Sequence, residues 1–157
     1  SSLVEESMLP EAKKLLDNPK IIIPKEVLVS ENPNKPGRIT SVNSISKNEA
    51  IFDISPSSLI DLEPFIKNAG TILWNGPMGF FEKGNFDKGT MGIANMIISS
   101  KGFSVAGGGD TISAADKAGV LGELGYVSTA GGAFLEYMEG KKLPALEALE
   151  NKLTTGE

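Results

Sequence analysis

The period of the hydrophobic positions changes along the chain, and each change marks an element. Leu3, Val4, Met8, Leu9, Ala12, Leu15 and Leu16 recur at helical spacing and predict a helix over Leu3–Leu16, ended by Asn18-Pro19. Two short β-branched or apolar runs follow, Lys20–Pro24 and Val27–Ser30, which read as a strand pair or one broken strand. Glu31–Arg38 is rich in Asn, Pro, Lys and Gly and reads as loop, and Arg38–Asn43 alternates enough for a weak strand. Phe52–Pro56 leads into a helix over Ser57–Asn68, with Pro56 near its first turn.

After residue 70 one rhythm takes over. Thr71–Trp74 predicts a buried strand, Asn75–Gly79 the loop at its carboxyl end, and Asp87–Ser99 a helix. Phe103–Ala106 predicts a second strand, followed by three consecutive glycines and a helix from about Thr111 to Val120. Tyr126–Thr129 is a third strand, Ala130–Ala133 opens a helix through Met138, and Leu143–Leu153 forms a terminal helix. Strand, glycine-rich loop and helix, repeated in this way, is the pattern of a parallel sheet with crossover helices. The expected fold is therefore α/β: three layers, a mainly parallel sheet, helices on both faces. Ligands in such folds bind beyond the carboxyl ends of the strands. The loops Asn75–Gly79, Gly107–Asp110 and Ala130–Gly132 are all expected there, on one rim.

Gly107-Gly108-Gly109-Asp110-Thr111 carries the most chemistry. Consecutive glycines leave their N–H groups uncovered and let a phosphate approach the backbone, and a helix start adds unpaired amides and a positive dipole end. Asp110 would repel a phosphate unless a cation lies between them. A magnesium nucleotide meets both demands, because Mg²⁺ takes one or two carboxylates together with phosphate oxygens. The same residues also suit an ordinary strand-to-helix turn with Asp110 or Thr111 as N-cap.

Composition narrows the chemistry. The 157 residues are 40% hydrophobic and 22% charged, as in an ordinary globular domain, and the net charge of −5 disfavours a general nucleic-acid surface. There is no cysteine and no histidine, which removes disulfides, thiolate metal sites and the commonest general base. Carboxylates, lysines, backbone amides and a hard cation remain, an inventory that suits phosphoryl transfer. No run of about 18 apolar residues suggests a membrane span. Ser1–Glu6 is acidic and lacks a signal-peptide pattern, so a cytosolic setting is the default expectation.

Neither the Walker lysine pattern nor the spaced dinucleotide fingerprint is present. Trp74-Asn-Gly-Pro-Met-Gly-Phe-Phe-Glu82, Ala106-Gly-Gly-Gly-Asp-Thr111 and Ser128-Thr-Ala-Gly-Gly-Ala-Phe-Leu-Glu136 occur in that order, with Glu139-Gly-Lys141 and Leu143-Pro144 behind them. This series closely resembles the carboxyl-terminal, nucleotide-binding domain of phosphoglycerate kinases. The likeness extends back through Phe52–Pro56, Ile22–Pro24 and Ser2–Glu5, nearly the whole chain. It implies a Rossmann-like fold and reversible phosphoryl transfer between 1,3-bisphosphoglycerate and ADP, giving 3-phosphoglycerate and ATP. It also implies that Phe52, Asn75, Pro77, Gly79 and Phe80 line the nucleotide pocket, with Phe52 against adenine and Glu82 on the ribose hydroxyls. Gly108, Gly109, Asp110 and Thr111 would bind nucleotide phosphates, Asp110 contacting Mg²⁺, and Gly131 and Gly132 would face the transferred group as catalytic donors.

Several positions depart from the family pattern. Ala130 stands where a glycine is usual, so a positive φ there would carry strain. Ser55 replaces a glycine before Pro56, Ile51 stands where a glycine is common, and Phe81 follows Phe80 as a bulky pair, together suggesting a narrower adenine pocket. The family's substrate-binding amino-terminal domain, and the first strands and phosphate-contacting lysines of its nucleotide domain, have no counterpart here. Residues 1–157 are therefore expected to form a partial domain, inactive alone, of a monomeric cytosolic glycolytic enzyme. Such a sheet is expected to expose an edge and an apolar face. A non-catalytic nucleotide-binding or scaffold domain is the alternative from another class, and an unrelated small-molecule kinase or dinucleotide-dependent enzyme is a further one.

Overall fold

The structure, a computed structural model, describes residues 2–155, with side chains through residue 152. Its strands are β1 (Glu26–Ser30), β2 (Arg38–Ser41), β3 (Ala50–Ile54), β4 (Thr71–Asn75), β5 (Phe103–Gly107) and β6 (Tyr126–Ser128). Its α-helices are α1 (Leu9–Leu16), α2 (Pro56–Asn68), α3 (Lys88–Ser99), α4 (Gly109–Lys117), α5 (Gly132–Met138) and α6 (Pro144–Thr155). β4, β5 and β6 form a parallel sheet in that order, and the α/β, Rossmann-like expectation holds for this part. A second sheet, antiparallel and ordered β2-β1-β3, precedes it; β1 and β2 fall on the expected runs Val27–Ser30 and Arg38–Asn43, whereas their joining with β3 in a separate antiparallel sheet was not expected.

The two faces of the parallel sheet follow from its register. Trp74 lies beside Ala106, and Ala106 beside Val127, so these residues share a face. Trp74 joins Ile93, Ala94 and Ile97 of α3 and Ala114 and Ala115 of α4 in the main core. Ile93 and Ile97 stand one helical turn apart, the spacing that turns one stripe of α3 inward. Each fully buried side chain of this size contributes roughly 1.5–3 kcal/mol. On the opposite face Leu73, Phe103 and Tyr126 remain 44%, 55% and 56% exposed, and Phe134 of α5 closes against Gly107. Among the described residues β4 pairs with β5 alone. The expected edge and apolar face are thus present, whereas the expectation that Thr71–Trp74 is a buried strand is corrected: only Trp74 is buried.

Other boundaries shift for local reasons. Ile21, Ile22 and Ile23 belong to no strand, so no strand pair forms with β1. Pro19 and Pro24, on either side, lack the N–H a ladder needs. The first helix begins at Leu9 rather than Leu3, behind a 3₁₀ turn at Glu6–Met8, because Pro10 fits only the first turn. Ser55, read as a departure, N-caps α2: its hydroxyl accepts from the Ser58 N–H at 3.4 Å while Pro56 takes the first helical position.

β2 is tied to the segment before β3 by a fork. Arg38 Nε and Nη2 donate to Glu49 Oε1 and Oε2 at 2.7 and 2.6 Å, and the Ser46 N–H donates to Oε2 at 3.0 Å. The Arg38 hydrogen bond, then the Ser46 amide, hold the Glu49 carboxyl down at about 2. A depressed carboxyl stabilises the fold above its unfolded range, and that contribution fades as pH falls through the folded value. Glu49→Gln is therefore expected to flatten the stability loss between about pH 4.5 and pH 2, read from urea midpoints across that window. Unchanged steepness would remove Glu49 as a source of the acid sensitivity.

Candidate functional site

Register places the three loops on one rim. Asn75, the last residue of β4, pairs with Gly107, the last of β5, and Gly107 pairs with Ser128, the last of β6. Each strand then enters its loop at the same level.

At the centre, β5 turns into α4 through Gly108, which has φ +93° and ψ 142°. A side chain there would be strained, and its Cβ would come within 3.1 Å of Asn75 Oδ1. Gly108 itself occupies the N-cap position, so neither Asp110 nor Thr111 plays the capping role the alternative turn reading required. The first α-helical bond runs from the Ile112 N–H to the Gly108 carbonyl at 3.1 Å, leaving the amides of Gly109, Asp110 and Thr111 without an intrahelical acceptor. Nothing lies within 4 Å of a Cβ built on Gly109, so the approach is open. Asp110 is exposed in this first turn and has no side-chain partner among the described residues.

Thr111 is placed differently. It is buried, and its Oγ1 accepts the Gly76 N–H at 2.7 Å, fixing the first glycine loop to the start of α4. The rest of that loop is pinned residue by residue. The Trp74 indole N–H donates to the Gly76 carbonyl at 3.0 Å, and the amides of Met78 and Gly79 donate to Thr90 Oγ1 of α3 at 3.2 and 3.3 Å. The Phe80 N–H donates to the Phe52 carbonyl at 2.7 Å, and the two rings stack with centroids 6.1 Å apart. Phe52, Gly79 and Phe80 are thus brought together. Asn75 and Glu82 lie at the loop's two ends, both exposed, and Glu82 has no side-chain partner among the described residues. Phe81 turns into the main core, 6% exposed, so it does not form the bulky pocket pair with Phe80 that the sequence suggested.

The third loop opens α5 with Gly131 at φ 57° and ψ −130°, and the Cβ positions of Gly131 and Gly132 face open space. No non-glycine residue described has positive φ, so Ala130 carries none of the strain considered from the sequence. Its N–H donates to Ser128 Oγ at 3.4 Å instead.

Sequence reasoning missed Asp53, Thr90 and Lys117, which hold the loops from behind. Asp53 is 1% exposed and accepts the Gly89 N–H at 2.9 Å and its neighbour Ile54's at 2.8 Å. Burial pushes its carboxyl up against the pull of those two amides, with Asp87 adding to the rise. No group of three or more metal-ligating His, Cys, Asp or Glu residues occurs among the described residues. A lone exposed carboxylate beside open amides does fit Mg²⁺ delivered with a nucleotide, since phosphate and water supply the remaining oxygens. A cavity of about 370 Å³ lies elsewhere, lined by Leu28, Ile39, Leu59 and Lys88 among others, and none of the predicted site residues lines it.

The family model for phosphoglycerate kinase matches residues 1–141. The chain belongs to the phosphoglycerate kinase family. It is 48% identical over 151 residues to a phosphoglycerate kinase of Vibrio campbellii, covering 95% of this chain and 39% of that protein. Among solved structures it resembles phosphoglycerate kinase from Coxiella burnetii, with TM-score 0.88 and 36% identity over 94% of this chain and 40% of that one. Phosphoglycerate kinase from Pyrococcus horikoshii gives TM-score 0.79 and 31% identity, covering 92% of this chain and 36% of that one. The chain thus spans about two fifths of these family proteins. Among the described residues no helix is long and apolar enough to cross a membrane.

Proposed function

We propose that this chain supplies part of the Mg-ADP/ATP site of a phosphoglycerate kinase, which reversibly moves a phosphoryl group from 1,3-bisphosphoglycerate to ADP. The observation that carries the reading is the rim itself. The Gly76–Thr111 bond joins the start of α4, with its open amides and exposed Asp110, to the loop carrying Phe80 and Glu82, and Phe52 of β3 stacks on Phe80. In this reading Phe52 and Phe80 receive the adenine, with Asn75, Pro77 and Gly79 shaping the wall. Glu82 accepts from the ribose hydroxyls, which an ionised carboxylate can do at two points. Gly108, Gly109 and Asp110 receive the phosphates; Thr111 acts from beneath by fixing Gly76. Asp110 is the residue that would hold Mg²⁺, whose chemistry there is to neutralise phosphate charge.

Gly131 and Gly132 are assigned to the transferred phosphoryl group, whose equatorial oxygens carry spread negative charge in the transition state. Fixed N–H donors there lower the barrier. No general base is required, because the acceptor oxygens of ADP are already anionic; the chain has no histidine to offer. Donor and acceptor must be held in line for transfer. A chain spanning two fifths of its relatives is proposed to bind without turning over, in the setting of a cytoplasmic glycolytic enzyme.

Trp74 is the only tryptophan, and its indole holds Gly76 at the base of the site. Mg-ADP is expected to change its emission saturably, NAD is not, and ATP formation from 1,3-bisphosphoglycerate by this chain alone is expected to be absent. Equal responses to ADP and NAD would overturn the nucleotide assignment. Turnover by the isolated chain would overturn the division of labour.

A further inference from the structure

The loop carrying Glu82 is attached to α4 at two places, and only one of them is at the phosphate end. Near its start, Thr111 Oγ1 takes the Gly76 N–H at 2.7 Å. Near its end, Lys117, the last residue of α4, donates from Nζ to the Phe81 carbonyl, which belongs to the peptide bond joining Phe81 to Glu82. The same ammonium pairs with Asp87 Oδ2 at 3.2 Å, just before α3, and stands 6.0 Å from the centroid of the Phe81 ring. Phe81 itself is fixed in the main core. Nine helical residues span about 13 Å. α4 thus works as a strut, with the phosphate amides at one end and the clamp on the Glu82 peptide at the other.

We propose that Lys117 is a positioning residue for the ribose-binding carboxylate: it sets the distance between Glu82 and the phosphate amides without touching the ligand. The assignment rests on the nucleotide reading above. It goes further in naming the group that makes the two halves of the ligand register. Lysine suits the task because one compact charge with three donors can serve a carbonyl and a carboxylate together. The partly exposed Lys117–Asp87 pair adds little to stability as an ion pair, so its loss is expected to leave the fold standing.

The test titrates the unaltered chain, Lys117→Met and Lys117→Arg with Mg-ADP and, separately, with magnesium tripolyphosphate, which has no ribose. Lys117→Met is expected to weaken Mg-ADP about tenfold, the scale of one charge-assisted contact, and leave tripolyphosphate within about twofold. Lys117→Arg should recover most of the loss. Equal weakening of both ligands, or of neither, overturns the assignment. No Mg-ADP binding by the unaltered chain overturns the nucleotide reading and this assignment with it. Hydrogen exchange supplies a ligand-free measurement. The amides of Lys83 and Phe86, bonded to Phe80 O and Lys83 O at 3.0 and 2.8 Å, should exchange faster in Lys117→Met while Ile112 does not. Unchanged exchange at Lys83 and Phe86 also overturns it. If Lys117→Met does not fold, Asp87→Asn takes its place, with the same selective loss expected.

Discussion

Gly89→Ala is expected to destabilise the fold by about 2–3 kcal/mol, although alanine is the better helix former by about 1 kcal/mol. Gly89 lies in the first turn of α3, where propensity alone predicts a gain. A Cβ at this position would press into the carboxylate of Asp53 and come within 2.6 Å of Ile54 Cγ1. The carboxylate cannot retreat. It is fixed by the Gly89 and Ile54 amides at 2.9 and 2.8 Å, and Gly79 packs against it, where a Cβ would also meet the Phe86 carbonyl at 2.5 Å. Propensity and packing thus oppose each other, and a clash with a fixed buried group is the larger effect. Urea unfolding should show a lower midpoint with an unchanged slope. Asp53→Ala removes the carboxylate from the path of the added Cβ and leaves two amides unpaired, so it should destabilise alone yet make the added Gly89→Ala change cheaper. A stabilised Gly89→Ala, or strict additivity with Asp53→Ala, would show that the carboxylate is not the wall described.

Asp53 also has a pH signature opposite to that of Glu49. Its carboxyl is raised by burial, so it takes up a proton more readily in the folded state than in the unfolded one. The resulting stabilisation is present below the unfolded carboxyl range and is lost as pH rises through the higher folded value. In acid, therefore, part of what the Glu49 fork gives up is offset by Asp53.

The parallel half of the fold was legible because its signals agree with one another. β5 and α3 appear within a residue of their expected limits, since an apolar run followed by glycines and a helical stripe of Met91, Ala94, Ile97 and Ile98 admit few alternatives. The antiparallel half was less legible because a strand is defined by its partner. Ile21–Ile23 has the right residue types and no partner, whereas β3 contains a charged residue and is a strand because β1 pairs with it. An apolar run such as Thr71–Trp74 does not announce whether it will lie at a sheet's edge or centre. The site divides in the same way. Gly108 was visible from its neighbours, because a positive φ leaves a glycine behind in the sequence. Lys117 and Asp53 were not, because they act through contacts 36 residues away in the chain, and a lone lysine or aspartate carries no local mark of such a contact.

Asp110→Ala is expected to weaken nucleotide binding when magnesium is present and to strengthen it when magnesium is absent. Asp110 is exposed and unpartnered among the described residues, so its removal should change stability by only about 0.5 kcal/mol. Whatever happens to ADP binding therefore reports on the ligand. With Mg²⁺ present, the unaltered chain has a carboxylate to complete the cation's oxygen shell, and losing it should weaken ADP by about 10- to 100-fold, the scale of one charge-assisted interaction. Without Mg²⁺ the same carboxylate faces the phosphates unscreened beside the amides of Gly109 and Thr111, and its repulsion opposes binding. Alanine removes that repulsion, so metal-free ADP should bind the variant more tightly than it binds the unaltered chain. Asp110→Asn should fall between, since an amide oxygen still ligates but carries no charge. Calorimetric titration of the three chains with ADP, with Mg²⁺ and then with chelator, gives six affinities to compare. A merely solvated aspartate would shift the affinities with and without Mg²⁺ in parallel. A crossing between them requires a cation and a phosphate to meet at this carboxylate.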